Sequence, residues 1–503
     1  MPDSMSYKLN LSDLERDGDV SITQQLVDRF SAAIESGELP PGEKLPPTRR
    51  LAEDVGVNHL TAARVYRKLA ELGYVSASVG RGTFVRALAP AGSAEHGDDW
   101  QIYALPEPDV GYPEEVLADA FSADEPGMLS LATGWPSPRT HPADELGRIA
   151  GDVFAEEGEG ALSWLPAEGL YSLREQIAKR GRRLGFATEP DEIVVTSGAQ
   201  QGLRLAAEAI LEQGDVAVIE SPSFIGMIGA LRSTGARVIG VPVDQDGFDV
   251  DALEALLARH EVKLVALQTA SQNPTGQDLA PARARRLAEL AVERNFFVLE
   301  DQVYADTRLD GELGRSVREL APAHVIHLNS LSKVVGPGLR VGWTAARGPV
   351  RERIAMRKLL TDFHTSSITQ HMAARWLGSG AHDRHLKKNV GFYRERRDAL
   401  LAALERHLAG EHHVDSPKGG HHVWVTLGRP LDERALYAEA ARHGVTFTPG
   451  GAVTPERRSQ TSFRLSFPLL DPEELDEGVR RLARAIREVR RRARHSVAAA
   501  PIS

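Results

Sequence analysis

Three residues with chemically reactive side chains closely follow apolar segments of this 503-residue chain. Asp301 and Tyr304 stand in DQVY after FFVLE, and Lys333 stands in SLSKVVGPGLRVGW after HVIHL. A carboxylate at the end of an apolar strand is costly to bury unless it meets a cation. A lysine held in a defined loop of low polarity keeps a reactive amine. The pattern therefore indicates one ligand that has both a group that reacts with the amine and a cationic group that pairs with the carboxylate.

Two further motifs supply partners for the polar groups of such a ligand. TSGAQQGL leads from a strand into a helix, so backbone N–H groups at Gly198, Ala199 and Gln200 would face an anion. NPTG places the amide of Asn273 before a turn. Each motif alone is weak, because a loop lysine is usually solvated and a Ser-Gly turn is usually only a helix cap. Together the four motifs require an aldehyde cofactor with a phosphate, a phenolate and a ring nitrogen.

The elements that must position these residues alternate between strands and helices. Apolar, β-rich runs lie at 193–196, 216–220, 237–243, 263–268, 296–300 and 324–328. Helical segments rich in Ala, Leu and Arg separate them, and this alternation predicts a mostly parallel sheet with helices on both faces. Long helices around the strand pair HHVWVTL and FRLSF predict a smaller α+β subdomain from about residue 385.

The N-terminal segment has a different pattern, that of three helices and a hairpin. A first helix carries an apolar stripe made of Ile22, Leu26, Phe30 and Ile34. A short second helix has Thr48 as its predicted N-cap and Gly56 at the following turn. The third helix, capped by Asn58, is predicted to bury Ala62, Val65, Tyr66, Leu69 and Leu72. YVSASVGRGTFV then alternates about a Gly-Arg-Gly tip, as a two-stranded hairpin does.

This arrangement fits the major groove of DNA. Residues 40–86 contain eight basic and four acidic residues in a chain of net charge −10, so contact with phosphates would be confined to this module. The residues predicted to contact DNA are Arg49, Asn58, His59, Thr61, Arg64, Arg67, Lys68 and Arg81. On periodicity alone, a small helical protein-interaction domain with a solvated basic face fits equally well.

Composition argues against several other classes of protein. The absence of Cys excludes a disulfide scaffold, a zinc ribbon and a cysteine nucleophile. The pairs His412–His413 and His421–His422 are expected to point to opposite faces of strands, so no metal site is predicted. No apolar run reaches about 18 residues and the N-terminus lacks a signal-peptide pattern, so no membrane span and a cytoplasmic location are expected.

Two long segments resemble known families. LPPTRRLAEDVGVNHLTAARVYRKLAELGYVSASVGRGTFV closely resembles the GntR-type winged helix-turn-helix. The following region, with its four motifs, resembles a fold type I pyridoxal 5′-phosphate (PLP) enzyme of the aspartate aminotransferase superfamily. The two together resemble the MocR branch of GntR regulators. The resemblance implies a winged-helix DNA-binding domain at 1–86, a linker at 87–124, a PLP-binding aminotransferase-like domain at 125–490 and a tail at 491–503.

The resemblance also implies roles in cofactor binding. Lys333 would form the Schiff base, Asp301 would pair with the pyridinium nitrogen, and Tyr304 and Asn273 would bind the phenolic oxygen. The residues implied to hold the phosphate are Gly198, Ala199, Gln200, Ser330, Ser332 and Arg340. Phe224 would stack on the pyridine face, with simple core packing as the alternative.

Further implied roles concern the substrate side. Arg464 in FRLSF matches the arginine that binds a substrate α-carboxylate, and a structural ion pair is its alternative explanation. Gly134 in LATGWPSP belongs to a segment that resembles the loop closing over the substrate. Trp164 stands where many aminotransferases have a tyrosine that reaches the other subunit's phosphate. His59 replaces an arginine of the GntR pattern, and because His cannot bind guanine bidentately, DNA preference is expected to differ.

Two functions remain open at this point. In the first, the protein is a regulator that binds a DNA operator and senses an amino compound or PLP through aldimine formation. In the second, it is an active aminotransferase, which the Asn273 amide and the spacing of Asp301 and Tyr304 favour. We favour regulation, because a DNA-binding head has no role in transamination. Either function implies a homodimer, and the resemblance adds a head-to-tail, domain-swapped arrangement.

Overall fold

The chain divides into two structural units, residues 1–109 and residues 110–503. The computed structural model describes residue 14 and residues 20–40, 43–78, 82–86, 127–455 and 460–498. The predicted linker at 87–124 and the predicted hairpin tip at Arg81 lie outside the described residues. Within the described ranges, none of the helices combines the length and the apolar character that crossing a membrane requires.

Three helices and a small antiparallel sheet form the N-terminal unit. Its elements are α1 (Ile22–Glu35), α2 (Thr48–Val55), α3 (His59–Glu71), β1 (Lys44–Leu45), β2 (Val75–Ser78) and β3 (Gly82–Val85). β3 lies between β1 and β2 and pairs antiparallel with both. Leu26 and Phe30 of α1 pack with Val65 and Leu69 of α3 in one apolar core. The predicted helices and hairpin are confirmed.

The structure corrects two details at the helix ends of this unit. Asn58 caps α3 as predicted, because its side chain accepts a hydrogen bond of 2.7 Å from the Thr61 N–H. Thr48, by contrast, is the first residue of α2, and Pro47 occupies the N-cap position without a side-chain bond. Leu72, predicted to be buried, is 54% exposed, because α3 has already ended and Leu72 is its C-cap.

The large unit is built on an eight-stranded sheet. Its strands are β5 (Ile193–Thr196), β6 (Val216–Ser221), β7 (Arg237–Asp244), β8 (Gly247–Phe248), β9 (Val262–Gln268), β10 (Phe297–Asp301), β11 (Val325–Ser330) and β12 (Gly342–Ala345). Their order is β5-β12-β11-β10-β9-β6-β7-β8. Neighbours from β11 to β7 are parallel, and only the pairings of β12 and β8 are antiparallel. The predicted strands and the mostly parallel sheet are confirmed.

Helices cover both faces of this sheet, because successive strand residues point to opposite sides. Ile219 and Ala266 belong to one apolar core, and Val218 and Val265 belong to the other. The helices of the unit are α4 (Ala143–Glu157), α5 (Tyr171–Arg183), α6 (Ala199–Ile210), α7 (Ile225–Arg232), α8 (Val250–Leu257), α9 (Pro281–Arg294), α10 (Val317–Leu320), α11 (Pro349–Asp362), α12 (Ser367–Gly378), α13 (Ala381–Leu408), α14 (Glu433–Arg442) and α15 (Pro472–Ala498).

A second, antiparallel sheet follows the long helix α13. Its strands are β13 (His412–Val414), β14 (His422–Leu427), β16 (Thr448–Pro449) and β17 (Ser462–Ser466), in the order β13-β14-β17-β16. The predicted pairing of HHVWVTL with FRLSF is confirmed as β14 with β17. Two short strands, β4 (Leu129–Ser130) and β15 (Val445–Thr446), pair in parallel beside it. This pairing brings the segment that precedes Gly134 to the second sheet.

Candidate cofactor site and DNA-binding head

The candidate site lies at one edge of the large sheet. Parallel strands β9, β10 and β11 end there at Gln268, Asp301 and Ser330. β5 runs in the same direction, because two antiparallel pairings separate it from β11, and it leads into Gly198 at the same edge. Ligands of such sheets bind outside the carboxyl ends of the strands. The topology therefore brings the four sequence motifs together.

Lys333 follows β11 in a single 3₁₀ turn. Its Nζ atom donates a hydrogen bond of 3.3 Å to the carbonyl oxygen of Gly134 and lies 5.4 Å from the ring centre of Tyr304. Burial, together with the positive charge of Arg464, lowers the pKa of the Lys333 amine to about 8, against the opposing effect of Asp301. The amine is therefore partly neutral near physiological pH, as a nucleophile requires.

Asp301 is buried at the end of β10. Its carboxylate accepts hydrogen bonds from the side-chain amide of Gln268 at 2.8 Å and from the Val303 N–H at 3.1 Å. Burial raises the pKa of Asp301 to about 6, although these two bonds and Lys333 lower it in part. No described basic side chain forms an ion pair with it. The carboxylate is thus placed to bind a cationic group of a ligand.

Gln268 connects Asp301 to the NPTG loop and was missed by sequence reasoning. It pairs with Asp301 in the register of β9 and β10. While its side-chain N–H donates to Asp301, its side-chain oxygen accepts a bond of 2.8 Å from the Asn273 N–H. The signal was available in the sequence, because KLVALQ ends in a polar residue just as FFVLED does. A polar residue at the carboxyl end of a parallel strand points to the ligand edge.

Tyr304 lies between the lysine and two buried histidines. The rings of His421 and His422 stand edge-on to it, with centres at 5.6 and 5.1 Å. Burial raises the pKa of Tyr304, and burial also lowers the pKa of His421 to about 3. His421 is therefore a neutral ring, and its Nδ1 lies 3.2 Å from the Gly134 carbonyl oxygen. The expectation that these histidines point apart was wrong, because β14 begins only at His422.

Arg464 lies on β17 and reaches the same cluster. Its guanidinium donates bonds of 2.9 Å to the side-chain oxygens of Asn273 and Thr448, and a further bond to the Ala132 carbonyl. Burial lowers its pKa to about 10, against the opposing effect of Tyr304. All three partners are neutral, and among the described residues no carboxylate pairs with Arg464. A structural ion pair, its alternative explanation, is therefore not observed there.

The helix α6 begins at a glycine that the Arg340 guanidinium approaches closely. Gly198 adopts φ +87°, and a Cβ atom there would lie 2.5 Å from an Arg340 guanidinium nitrogen. That guanidinium donates a bond of 2.8 Å to the Ser197 carbonyl, and Ser330 bonds Ser332 at 2.9 Å. Because no side chain of the described part of the chain caps α6, its first N–H groups and positive end are open to an anion.

Three other residues that the sequence predicted for the site are Phe224, Gln200 and Trp164. Phe224 precedes α7 and packs partly against the sheet core, so core packing accounts for some of its burial. Gln200 uses its side chain to bond the Gly226 carbonyl at 2.9 Å. Trp164 is 67% exposed and contacts Phe363 rather than the Lys333 cluster. Within one chain, Trp164 is thus not part of the assembled site.

The predicted DNA-contacting residues of the N-terminal unit are mostly exposed. Arg49, Arg64 and Arg67 are open to solvent. His59 lies with its Nε2 at 3.1 Å from the Thr48 hydroxyl, which links the starts of α2 and α3. Lys68 is less exposed and donates to the side chain of Gln24. Arg81 lies outside the described residues.

Comparison with known proteins identifies both units. The family of class I and II aminotransferases matches residues 128–482, and the gntR family of bacterial regulatory proteins matches residues 22–85. The chain is a MocR-type GntR regulator with a class I and II aminotransferase domain. It is 30% identical to the HTH-type transcriptional regulator YdcR of Escherichia coli, over 92% of this chain and 99% of that one.

Two aminotransferase relatives match about three quarters of this chain. A 2-aminoadipate transaminase of Thermus thermophilus is 36% identical over 72% of this chain and 91% of its own. The crystal structure of the T. thermophilus α-aminoadipate aminotransferase LysN, complexed with N-(5′-phosphopyridoxyl)-L-leucine, is 34% identical with a TM-score of 0.69, covering 76% and 98% of the two chains. These matches support PLP as the cofactor. The buried Asp301, which forms no ion pair with any described side chain, and the open start of α6 fit its ring nitrogen and its phosphate.

Proposed function

We propose that this regulator controls transcription in response to a small amino compound, or to PLP itself, bound in the aminotransferase domain. The observation that carries the proposal is a complete cofactor-type cluster around Lys333 in a chain that also has a GntR head. Enzymes of this class need no DNA contact, whereas a regulator needs both parts. The place of action would be the cytoplasm.

Each residue of the cluster has a separate task in this proposal. When bound, PLP supplies an aldehyde that condenses with amines and a ring that accepts electrons. Lys333 provides the competing amine, and its lowered pKa keeps that amine available. Asp301 would hold the ring nitrogen in its charged form, while Tyr304 and Asn273 would hold the phenolic oxygen. Phe224 would cover one face of the ring.

The phosphate would be held at the start of α6. The residues that we assign to it are Gly198, Ala199, Gln200, Ser330, Ser332 and Arg340. Glycine is needed at position 198 because a side chain there would collide with the Arg340 guanidinium, which therefore lies close to the start of α6. Of this group Arg340 carries the positive charge, and the serine pair offers hydroxyl groups.

The effector is proposed to carry a carboxylate. Arg464 is buried and has only neutral partners among the described residues, so a ligand carboxylate would supply the charge that it lacks. The Gly134 carbonyl oxygen accepts the bond from Lys333. A ligand that engages Lys333 and Arg464 together would therefore also change the surroundings of the Gly134 segment. Such differential contact is what allows a ligand to shift a conformational equilibrium.

We further propose a homodimer, with an apolar surface around Trp164 as part of the interface. Trp164 and Phe363 contact each other with ring centres 5.2 Å apart, and their chain neighbours Leu162 and Leu360 are also exposed. A cluster of large exposed apolar side chains indicates an interaction surface. A second copy covering it would bring Trp164 near the other subunit's site, and a head-to-tail exchange of the DNA heads is compatible with this. Sedimentation of wild-type protein and of Trp164→Glu tests the dimer.

The DNA contacts would be made by the exposed face of the head. Arg49, Arg64, Arg67, Lys68 and Arg81 would contact phosphates, and His59 and Thr61 would stand nearest to the base edges, with Asn58 fixing the start of the helix. Two heads of a dimer would contact two half-sites.

One experiment tests sensing directly. Purified holoprotein is titrated with candidate amino compounds while the cofactor absorbance is followed, and DNA binding is measured with and without each hit. We expect at least one compound to change both readouts. A compound that changes the spectrum at saturation without any change in DNA affinity would contradict the sensor proposal.

Active transamination is the second candidate, favoured by the bond between Asn273 and Arg464 and by the similarity to a 2-aminoadipate transaminase. It predicts stoichiometric conversion of bound cofactor to its pyridoxamine form on mixing with an amino donor. No conversion with any of a broad set of amino acids would exclude it. Conversion without any salt-sensitive DNA binding would instead exclude the regulator.

A further inference from the structure

The helix α3 exposes a large apolar side chain among its charged and polar ones. Leu60 is 73% exposed, although the opposite face of the helix is buried. Spacings of four and three residues place Leu60, Arg64 and Arg67 on one face of α3. Leu60 stands at the N-terminal end of that face. The helix α3 is the second helix of the helix-turn-helix. When such a motif binds DNA, the N-terminal end of this second helix contacts the base edges.

The surroundings of Leu60 favour DNA over a protein partner. Arg49, Arg64 and Arg67 are exposed, and the sequence from His59 to Ala70 contains no acidic residue. An apolar protein surface docked here would desolvate several cations without partners, whereas phosphates on either side of a groove would neutralise them. Charge complementarity thus selects duplex DNA as the occupant.

The neighbours of Leu60 are themselves committed to other contacts. The His59 ring is bonded to the Thr48 hydroxyl at 3.1 Å. Thr61 bonds the Asn58 side chain through its N–H at 2.7 Å and its hydroxyl at 3.0 Å. Both polar residues next to Leu60 therefore use part of their hydrogen-bonding capacity to fix the helix-turn-helix, although they too lie at the end of α3 that would face the bases. Leu60 is left as an outward side chain at this end of α3.

We propose that Leu60 recognises thymine by packing against its C5-methyl group in the major groove. The isobutyl side chain has no hydrogen-bonding group, so it cannot use the donors and acceptors of base edges. The thymine methyl is the apolar feature that a base pair presents in this groove. The inference rests on the proposed DNA binding of the head, and it adds the base that one residue recognises. The arginines would contact phosphates and so contribute to affinity, whereas Leu60 would contribute to sequence specificity.

The test removes one methyl group at a time. Duplexes are selected from a random library with the full wild-type chain, and each thymine is then replaced singly by deoxyuridine, which lacks only the C5-methyl. Affinity is measured at one fixed salt concentration. We expect one thymine in each half-site at which loss of the methyl weakens binding about fourfold, the effect of burying one such group. In Leu60→Ala this sensitivity should disappear.

Two variants control the result. Leu72→Ala truncates another exposed leucine, at the C-cap of α3, and should keep the full methyl sensitivity. Leu60→Gln should shift the selected base from thymine towards adenine, because a carboxamide binds the N6 and N7 edge of adenine. Methyl effects of equal size in wild type and Leu60→Ala, or none in either, would overturn the inference while DNA binding stands. If no duplex is selected at all, the DNA-binding proposal itself is wrong, and the inference about Leu60 is then wrong as well.

Discussion

The two units place their functional residues in opposite environments. In the head, Arg49, Arg64 and Arg67 are exposed on a small fold. In the large unit, Asp301 and Tyr304 are buried, and burial moves the pKa of each away from its ordinary value. The interactions of exposed charges pass through solvent, and salt weakens them. The pKa values of buried groups are set by desolvation and by each hydrogen bond that the group makes. Substitutions in the head should therefore lower DNA affinity by small steps, whereas substitutions in the large unit should strongly disturb cofactor binding.

The largest effect is expected for Lys333→Ala. Borohydride treatment of PLP-saturated wild type should fix the cofactor on Lys333, and the variant should show complete loss of this adduct, because the amine that attacks the aldehyde is gone. Effector-dependent change in DNA binding should be lost with it. Mass spectrometry of the reduced protein checks the adduct. Lys387→Ala, at an exposed position of α13, should keep it; an undiminished adduct in Lys333→Ala would refute the assignment.

Asp301 should make the stability of the cofactor-free protein depend on pH. Burial raises its pKa from 3.8 to about 6, so the folded state retains a proton that the unfolded chain has lost. The stability contributed by this proton is present below about pH 4 and disappears as pH rises to about 6. Relative to Asp301→Asn, the free energy of unfolding of wild type should fall by about 2–3 kcal/mol across that window. Urea unfolding at several pH values measures this free energy. If it depended on pH in the same way in both proteins, the raised pKa of Asp301 would be contradicted.

A smaller effect is expected for Gln268→Leu. The variant removes the amide that donates to Asp301 and leaves the carboxylate with the Val303 N–H alone. Loss of a hydrogen bond to a buried charge costs about 1.5 kcal/mol, so PLP affinity should fall by at most about tenfold, because part of this cost is also present without the cofactor. The pKa of Asp301 should rise further, which moves the pH window of the preceding experiment upwards. Gln277→Leu, which removes a more exposed amide bonded to Asp415, is the matched control. Unchanged PLP affinity together with an unmoved pH window would remove Gln268 from the site.

The smallest effect is expected in the head. Arg64→Ala should lower DNA affinity similarly for all sequences and reduce the slope of log affinity against log salt by about one. Arg259→Ala, an exposed arginine of the large unit, should leave the slope unchanged. Fluorescence anisotropy across a salt series gives both slopes. An Arg64 variant whose slope equals that of wild type would show that this side chain contacts no phosphate.

Periodic patterns were enough to predict most of the fold. The strands that end at Asp301 and Ser330 are mostly apolar, and the helices of the head have apolar stripes, because burial of one face or of both faces leaves a local trace in the sequence. The ends of elements were less predictable. Leu72 follows the helical spacing of α3 but lies beyond its end, where packing against the core has ceased.

The sequence by itself determined which side chains could do chemistry and that a DNA-binding head accompanies them, because motif residues are set by local backbone needs such as turns, caps and strand ends. Tertiary structure alone decided which of them meet. The contact between Arg464 and Asn273 spans 191 positions of the chain, and His421, which directly precedes a strand of the second sheet, contacts Tyr304. Such contacts depend on strand order and register, which no local pattern encodes. The perturbed pKa values of Lys333 and Asp301 likewise follow from burial, a property of the assembled fold.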